Sequence, residues 1–207
     1  SIVVQSVLYG NEPESIQRAV AATTHALVTA QKAGLVSDWT IALGDSLPEG
    51  TLSTSVQRAL KKSVTAAGGK FLLDQFGENL GHGGGHNKLA PQTSTDLIFI
   101  LNPDVVLAGD AISELAQAVT GDVGASDGRQ LPLDHAKYYD PQNLEQSWAS
   151  GACLLTTREV FNTLHGFDHD TFFMYCDDVD YSWRTRLAGY KVVHTPSARA
   201  FHDKRIT

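Results

Sequence analysis

The residues with the clearest capacity for chemistry form an acidic cluster in the last third of the chain. Asp177, Asp178 and Asp180 fall within four residues, after the aromatic run 172–175 and before an amphipathic helical pattern. Carboxylates this close repel one another and cost free energy to desolvate, which favours a catalytic use for at least one of them. The same residues would also start a helix well, because the helix dipole stabilises Asp in the first turn. The cluster alone leaves both interpretations open.

A second acidic position follows the strongly apolar run 97–101, where the chain reads Asn102, Pro103, Asp104. An acidic side chain at the carboxyl-terminal tip of a buried strand is well placed to hold Mg²⁺ or Mn²⁺ against a diphosphate. The alternative is an Asn-Pro-Asp turn that binds nothing. His202 stands at the end of the last predicted strand, and a lone histidine is more often structural than a ligand.

The segment 78–87 combines glycines with polar side chains. Glycines let a backbone approach a ligand closely, and a following helix N-terminus favours anionic groups. The segment lacks the Gly-Lys-Ser/Thr of a P-loop and only partly matches a dinucleotide fingerprint. His82 and His86 have the spacing of a zinc-binding helix, but the three glycines between them argue against a stable helix. We therefore expect neither a helix nor zinc at these two histidines.

Regular elements must position these residues, and the first half of the chain alternates strands with helices. Strands are predicted at residues 2–8, 39–43, 70–73 and 96–101, and helices at 11–33, 52–67 and 87–90. This alternation implies right-handed βαβ units and a doubly wound, mostly parallel α/β sheet. Ligands bind beyond the carboxyl ends of such strands. Asp45, the glycine-rich segment and Asp104 are therefore expected to meet at one edge of the sheet.

The second half of the chain has a different pattern. A helix is predicted at residues 110–119, loops with short strands at 121–146, and a strand at 148–155. Helices at 158–164 and 177–187 follow, and two separate strands at 191–194 and 199–202 come last. No repeat, low-complexity tract or linker interrupts the sequence, so a single domain over residues 1–207 is expected.

Composition limits the classes of partner. The chain has 42% hydrophobic and 19% charged residues and a net charge of −7, which indicates a globular protein and argues against nucleic acid as its partner. An acidic protein can still bind a phosphorylated ligand when a divalent metal supplies positive charge. Cys153 and Cys176 form no disulfide framework and are expected to be buried, reduced thiols. With no signal peptide and no apolar run long enough to span a membrane, a cytoplasmic setting is expected. The start at Ser1 without Met indicates a trimmed chain or a piece of a longer one.

Taken in order, these segments resemble the inverting glycosyltransferases of family 2, which have the GT-A fold. The match covers nearly the whole chain and is similar in detail to the rhamnosyltransferase-like branch. Residues 1–10 look like the family's first strand, 101–104 like its Asp-x-Asp metal motif, and 176–180 like its Glu-Asp-x-Asp motif. The chain also resembles further segments of the branch: residues 78–81 together with Asn87, residues 151–155 together with 158–161 and 166–168, and residues 184–190.

The resemblance implies a role for each matched position. Asp178 would be the general base, with Asp177, which replaces the usual Glu, as the competing candidate. Asp104 would bind the Mn²⁺ or Mg²⁺ that bridges the donor diphosphate, and His202 would complete the metal's coordination. Asp180 is assigned to the acceptor side, although an ion pair with Arg184, one helical turn away, is its default. The other implied contacts are to the nucleotide sugar, by Tyr9, Asp45, Asn79, Gly81, Asn87 and Asn102, and to the acceptor, by Trp148 and Gly151.

The resemblance also implies the reaction and its partners. Residues 1–107 would bind a dTDP- or UDP-linked sugar donor, and residues 108–207 would bind the acceptor and carry the catalytic groups. The sugar would be rhamnose or, next, galactofuranose, moved to a polysaccharide or lipid-linked glycan, as in cell-wall polysaccharide biosynthesis. Segments outside this sequence would bring the protein to the inner face of the membrane. Gly44-Asp45-Ser46 departs from the family's usual Asp-Asn-x-Ser, so Asp45 would take over base recognition from one position along.

Two other functions fit part of the pattern. A non-catalytic glycosyltransferase-like module, which binds a nucleotide sugar or holds a partner enzyme, would explain the altered loop at Asp45. A sugar-phosphate nucleotidyltransferase also uses a parallel sheet and a carboxylate-bound metal. That enzyme should carry a basic, glycine-rich motif just after the first strand, where residues 7–12 have no Lys or Arg.

Overall fold

Eight strands form the framework of the computed structural model, which describes residues 1–202. They are β1 (Ile2–Leu8), β2 (Trp39–Asp45), β3 (Lys70–Gln75), β4 (Leu97–Leu101), β5 (Val105–Leu107), β6 (Val123–Leu131), β7 (Cys153–Thr157) and β8 (Lys191–His202). They make one sheet in the order β3-β2-β1-β4-β7-β6-β8-β5. The first four strands are parallel, as predicted. β7 runs antiparallel to both β4 and β6, so the second half of the sheet is mixed.

Six α-helices cover the two faces of this sheet. They are α1 (Pro13–Lys32), α2 (Thr54–Ala66), α3 (Gly81–Leu89), α4 (Ala111–Ala118), α5 (Arg158–Thr163) and α6 (Asp177–Leu187). Successive strand residues point to opposite faces, so Phe99 packs in the core with α1, α2 and α4 while Ile98 packs in the core with α5 and α6. Among the described residues, no helix is both long and apolar enough to cross a membrane.

The glycine-rich segment is helical, so the prediction against a helix there was wrong. Tertiary contact overrides the poor helix propensity of glycine at these positions. A Cβ atom at Gly83 would lie 2.7 Å from Phe167 Cβ, and one at Gly85 would lie 2.6 Å from Val7 Cγ2. The missing side chains let α3 lie directly against β1 and the segment before α6. The glycines thus serve close packing between elements of the protein.

Two further predictions in the second half of the chain were wrong in extent, and one short strand was not predicted. The last two predicted strands are one strand, because β8 continues through Pro196 in a bulge: its partner register jumps from Gly128↔Thr195 to Arg129↔Arg199. β7 begins only at Cys153, after an irregular segment that lines the site described next. The three-residue β5 was not predicted, because so short a strand has little pattern of its own.

Candidate active site

An open cleft of about 440 Å³ brings together residues from distant parts of the sequence. Six predicted site residues share its lining: Asn102, Trp148, Gly151, Asp177, Asp178 and His202. His82, His135, Ser150, Ala152 and residues 174–176 and 179 complete the lining. The described lining contains three histidines and two aspartates but no lysine or arginine.

Asp178 lies in the first turn of α6 and faces the cleft. Its Oδ2 accepts a hydrogen bond from the backbone N–H of Gly151 at 2.8 Å, and its Oδ1 accepts one from the N–H of Val179 at 2.9 Å. A carboxylate has about four acceptor positions, so two remain for a ligand. The bond to Gly151 fixes the carboxylate against the segment that precedes β7.

Asp177 is buried, and its carboxylate is hydrogen-bonded to a histidine. Its Oδ2 lies 2.6 Å from Nδ1 of His82, and the two side chains are 4% and 18% exposed. The His82 ring also packs edge-on against His86 and Phe167, at centroid distances of 4.7 and 5.8 Å. The structure therefore distinguishes the two adjacent aspartates of the lining: Asp177 is buried and bonded to His82, whereas Asp178 keeps acceptor positions for a ligand.

The backbone before α6 is unusual. Tyr175 and Cys176 have φ angles of +66° and +62°, which place two consecutive non-glycine residues in the left-handed region. Such residues carry strain and cluster at functional sites. This turn aims both aspartates inward, and the first turn of α3 supports it, because His82 N–H donates to the carbonyl of Phe173 at 3.3 Å. Cys176 is exposed, so the prediction that it is buried was wrong, whereas Cys153 is buried as expected. Burial raises the pKa of the Cys153 thiol to about 12.

Asp104 and His202 meet at the end of the sheet, where β8 pairs with β5. Because Val105 pairs with His202, the turn that contains Asp104 lies beside the end of β8. His202 Nε2 lies 3.4 Å from Asp104 Oδ2, and its Nδ1 lies 2.9 Å from the side-chain oxygen of Gln130. Because that oxygen can only accept, the neutral form of the ring carries its proton on Nδ1 and directs the Nε2 lone pair toward Asp104.

A buried polar network lies beneath Trp148 and Ser150, and sequence reasoning did not identify it. Asp127 is fully buried and accepts hydrogen bonds from Ser150 N–H at 2.7 Å, Gln146 Nε2 at 2.8 Å and Lys137 Nζ, with His194 Nδ1 at 2.9 Å. Burial by itself would raise the pKa of Asp127, but the hydrogen bond to His194 and the charge of Lys137 outweigh it and lower that pKa. The Lys137 ammonium also lies 5.0 Å from the Trp148 ring centroid.

Asp45 ends β2 as a buried residue whose carboxylate is turned into the following loop. It accepts hydrogen bonds from Thr51 N–H at 2.6 Å, Thr51 Oγ1 at 2.8 Å and Leu47 N–H at 3.1 Å. Three of its acceptor positions are thus used inside the protein. Asp45 holds this loop in place, and its base-binding role stays a prediction.

The other positions assigned to the nucleotide sugar lie outside the cleft lining, apart from Asn102. Tyr9 is exposed just after β1. Asn79 Oδ1 accepts from Gly81 N–H at 3.1 Å and so supports the start of α3. Asn87 exchanges two hydrogen bonds with the backbone of Phe167, at 2.8 and 2.9 Å, so its amide is used structurally.

Asp180, which was assigned to the acceptor side, pairs with Arg184 instead. Its Oδ2 lies 2.7 Å from the guanidinium, which also donates to the carbonyls of Leu164 and Gly166. The pair anchors α6 to the chain segment before it. Within residues 1–202, Asp180 is not among the residues that line the cleft.

Sequence reasoning missed His82, His135 and Asp127 as members or supports of the site. From the sequence, His82 was considered only as a zinc ligand. The described residues contain no group of three His, Cys, Asp or Glu side chains that could hold a metal ion. The signal for Asp127 was an acidic residue inside the run 123–131, which has mostly small residues in its first half and reads as a loop because of its glycines. His135 belongs to the irregular segment after β6 and packs edge-on against Trp148 at 5.4 Å.

The chain is similar to known proteins over part of its sequence and in its fold. Over 65 residues, the chain is 42% identical to N-acetylglucosaminyl-diphospho-decaprenol L-rhamnosyltransferase of Mycobacterium tuberculosis (strain CDC 1551 / Oshkosh). That match covers 31% of this chain and 21% of the relative, so the chain aligns with only about one fifth of the relative's length. No protein-family model matches the chain.

Two solved structures share the fold over 99% of this chain. One is a mannosyltransferase from Pyrobaculum calidifontis in complex with GDP-Man and Mn²⁺, with a TM-score of 0.75, 17% sequence identity and 57% of that chain covered. The other is GalNAc-T7 with UDP, GalNAc and Mn²⁺, with a TM-score of 0.79, 13% identity and 44% of that chain covered. The predicted fold class is confirmed: the chain has the GT-A fold of glycosyltransferases.

Proposed function

We propose that this protein is a metal-dependent inverting glycosyltransferase that moves a hexose from a nucleoside diphosphate sugar to a glycan acceptor. The observation that carries the proposal is the convergence of Asp178, Asn102 and His202 on one cleft of a GT-A fold. Asp104 is not among the described residues that line the cleft, but its Oδ2 lies 3.4 Å from His202 Nε2. A base and a metal-binding pair at one cleft are what a direct displacement at an anomeric carbon requires.

In the proposed reaction, Asp178 is the general base. The acceptor hydroxyl oxygen forms a bond to the anomeric carbon while the bond from that carbon to the diphosphate oxygen breaks. Asp178 takes the hydroxyl proton, and the diphosphate leaves with the electron pair. The attack comes from the face opposite the leaving group, so the configuration inverts. The hydrogen bond from Gly151 N–H keeps the Asp178 carboxylate in place during this step.

The residues present fit a divalent metal. Asp104 offers a carboxylate oxygen, and a neutral His202 ring offers the Nε2 lone pair, because its Nδ1–H donates to the side-chain oxygen of Gln130. Mg²⁺ and Mn²⁺ sites of this type use one or two protein ligands and fill the rest with substrate phosphates and water. A metal bound here would supply the positive charge that a leaving diphosphate needs. The described cleft lining provides no lysine or arginine for that purpose.

The donor and acceptor are proposed from the relatives and the lining. The rhamnosyltransferase with which the chain shares 42% identity over 65 residues favours rhamnose as the sugar and an N-acetylglucosaminyl lipid as acceptor. The family resemblance of the sequence favours dTDP-rhamnose as the donor, with UDP-galactofuranose next. Residues 1–107 would bind the nucleotide sugar, and residues 108–207 would supply the acceptor side. The half-buried Trp148 at the cleft offers an indole face on which a sugar ring can stack.

Product formation tests the proposal. The purified protein is incubated with dTDP-rhamnose or UDP-galactofuranose, MnCl₂ and an alkyl N-acetylglucosaminide, and the glycoside product is followed by mass spectrometry. We expect product with one of the two donors and none after EDTA treatment. Absence of product with both donors and with lipid-linked N-acetylglucosamine would contradict the proposed activity.

A non-catalytic glycosyltransferase-like module, which binds a nucleotide sugar or holds a partner enzyme, is the second candidate function, and the Asp45 carboxylate favours its partner-holding form. The Asp45 carboxylate is hydrogen-bonded within its own loop, so it offers no obvious free acceptor for recognition of the nucleotide base. Calorimetry with dTDP and UDP, with and without Mn²⁺, separates the two functions when combined with the product assay. Metal-dependent nucleotide binding without turnover would favour the module.

A further inference from the structure

His82 is a cleft-lining histidine for which the proposed reaction has no role. Its ring is fixed from three sides: Asp177 bonds Nδ1 at 2.6 Å, His86 packs against one side at 4.7 Å, and Phe167 packs at 5.8 Å. Histidines of ordinary surface character are not clamped in this way. The clamp leaves one polar atom, Nε2, for which no hydrogen-bond partner is found within residues 1–202 and which is not sealed in the interior.

Asp177 sets the chemical character of that free nitrogen. The buried carboxylate is an acceptor, so the proton of a neutral His82 ring resides on Nδ1 and Nε2 presents a lone pair. A nitrogen in this state accepts a hydrogen bond from a hydroxyl. Glycine at position 83 makes room for the pair, because a Cβ there would lie 3.2 Å from Asp177 Oδ2 and 2.7 Å from Phe167 Cβ.

His82 and Asp178 stand beside each other on the cleft wall. A Cβ atom built on Gly151 would lie 3.0 Å from His82 Cε1 and 3.5 Å from Asp178 Oδ2, so both side chains border the same point of the wall. Two adjacent acceptors of this kind match two neighbouring hydroxyls of one sugar ring. The half-buried Trp148 belongs to the same cleft and adds an aromatic surface.

We propose that His82 Nε2 accepts a hydrogen bond from a second hydroxyl of the acceptor sugar, next to the hydroxyl that Asp178 deprotonates. Asp177 is the positioning residue that holds the required tautomer of His82. The inference rests on the proposed function, because it assigns the acceptor sugar to this cleft. It makes His82 a determinant of acceptor specificity and gives Asp177 a task distinct from that of the base.

Binding of a deoxy series tests the proposal without requiring turnover. Dissociation constants are measured for an alkyl N-acetylglucosaminide and its single-deoxy analogues, with Mn²⁺ and a nucleoside diphosphate present, on the wild type and on His82→Phe. For the wild type, we expect one deoxy analogue to bind about tenfold more weakly than the parent, the loss that one hydrogen bond accounts for. His82→Phe should bind the parent about tenfold more weakly and no longer distinguish that analogue from it.

Three further variants separate recognition from folding. His82→Gln, which keeps a polar group near the position of Nε2, should recover part of the discrimination, and His25→Gln on the exposed face of α1 is the control. Asp177→Asn should weaken discrimination and shift the ¹⁵N signals of the His82 ring away from the Nδ1–H tautomer. A wild type that binds all analogues equally, or fails to bind the parent, would overturn the inference. Acceptor binding with the expected pattern but without product would refute the proposed reaction and leave the inference intact.

Discussion

The imidazole of His202 faces Asp104 with one nitrogen and Gln130 with the other. The first distance is 3.4 Å and the second is 2.9 Å. This arrangement links three separate strand ends into one unit, since Asp104 follows β4, Gln130 lies in β6 and His202 ends β8. It is the arrangement expected where an outer hydrogen bond sets the tautomer of a metal-binding histidine.

Gln130→Ala should therefore weaken metal binding without touching a ligand. We expect a 10- to 100-fold loss of Mn²⁺ affinity in the presence of a nucleoside diphosphate, because His202 loses the contact that orients its ring. Electron paramagnetic resonance titration of free Mn²⁺ measures this directly. Gln142→Ala, at an exposed position in the segment after β6, serves as the control. Unchanged Mn²⁺ affinity in Gln130→Ala would show that His202 does not hold the metal.

Asp127 should be a major determinant of stability. Asp127→Asn leaves the side chain of Lys137, which is only 3% exposed, without its counter-charge. We expect the free energy of unfolding to fall by about 3–5 kcal/mol, the usual cost of breaking a buried ion pair from one side. Chemical denaturation measures the change. The double variant Asp127→Asn with Lys137→Met should recover part of that loss, because Asn keeps an acceptor for the surrounding donors and no unpaired charge stays buried. A single variant within about 1 kcal/mol of the wild type would contradict the account.

His86 should make the protein less stable as the pH falls below neutral. Burial, with a smaller effect from the nearby His82, lowers the pKa of the His86 imidazole well below its ordinary value of 6.5. The unfolded chain therefore takes up a proton as the pH falls through about 6.5, while the folded protein does not. Stability is lost below that pH, by at most about 1.4 kcal/mol per pH unit from this group. Denaturation curves between pH 7 and pH 5 should show a flatter dependence for His86→Gln, and identical slopes would contradict this assignment.

Gly83→Ala tests the close packing of α3. Alanine is the better helix former by about 1 kcal/mol, so propensity alone predicts stabilisation. The new Cβ would lie 2.7 Å from Phe167 Cβ, so we expect a loss of about 1–3 kcal/mol instead. Gly84→Ala is the milder control, because its Cβ would lie 3.1 Å from the ring of the exposed His169 and 3.3 Å from Leu80 Cβ, contacts that a small shift relieves. Thermal or chemical denaturation of both variants shows whether each substitution raises or lowers the free energy of unfolding.

The sequence predicts the parallel half of the fold well, because long apolar runs alternate there with amphipathic helices. β1 and α6 have the predicted bounds, and the fold class is confirmed. The mixed half is harder, because Pro196 lies inside one continuous strand and its bulge has no local signal. The helix at the glycine-rich segment escapes prediction for a related reason. Its stability comes from contacts with Phe167 and Val7, which the local sequence does not contain.

The candidate site likewise has features that the sequence predicts and features that it does not. Asp178, Asn102 and His202, to which the resemblance gives site roles, line one cleft of the structure, and those roles stay predictions. Asp45 and Asp104, which the strand-end rule placed at the same edge, are not among the described residues that line it. Side-chain partners could not be predicted, because they depend on packing between distant segments. Asp177 and His82 are 95 residues apart in the sequence and 2.6 Å apart in the fold. Asp45 sits at the predicted strand end, yet its carboxylate bonds its own loop.

The assignment of Asp178 as the general base is the central claim, and Asp178→Asn tests it most directly. Single-turnover transfer with the donor, Mn²⁺ and an N-acetylglucosaminide acceptor is measured for this variant and for Asp170→Asn, a control whose native side chain is 94% exposed. We expect Asp178→Asn to transfer at least about 100-fold more slowly with unchanged donor affinity, the loss that removal of a general base produces, and Asp170→Asn to equal the wild type. Full transfer activity in Asp178→Asn would contradict the account.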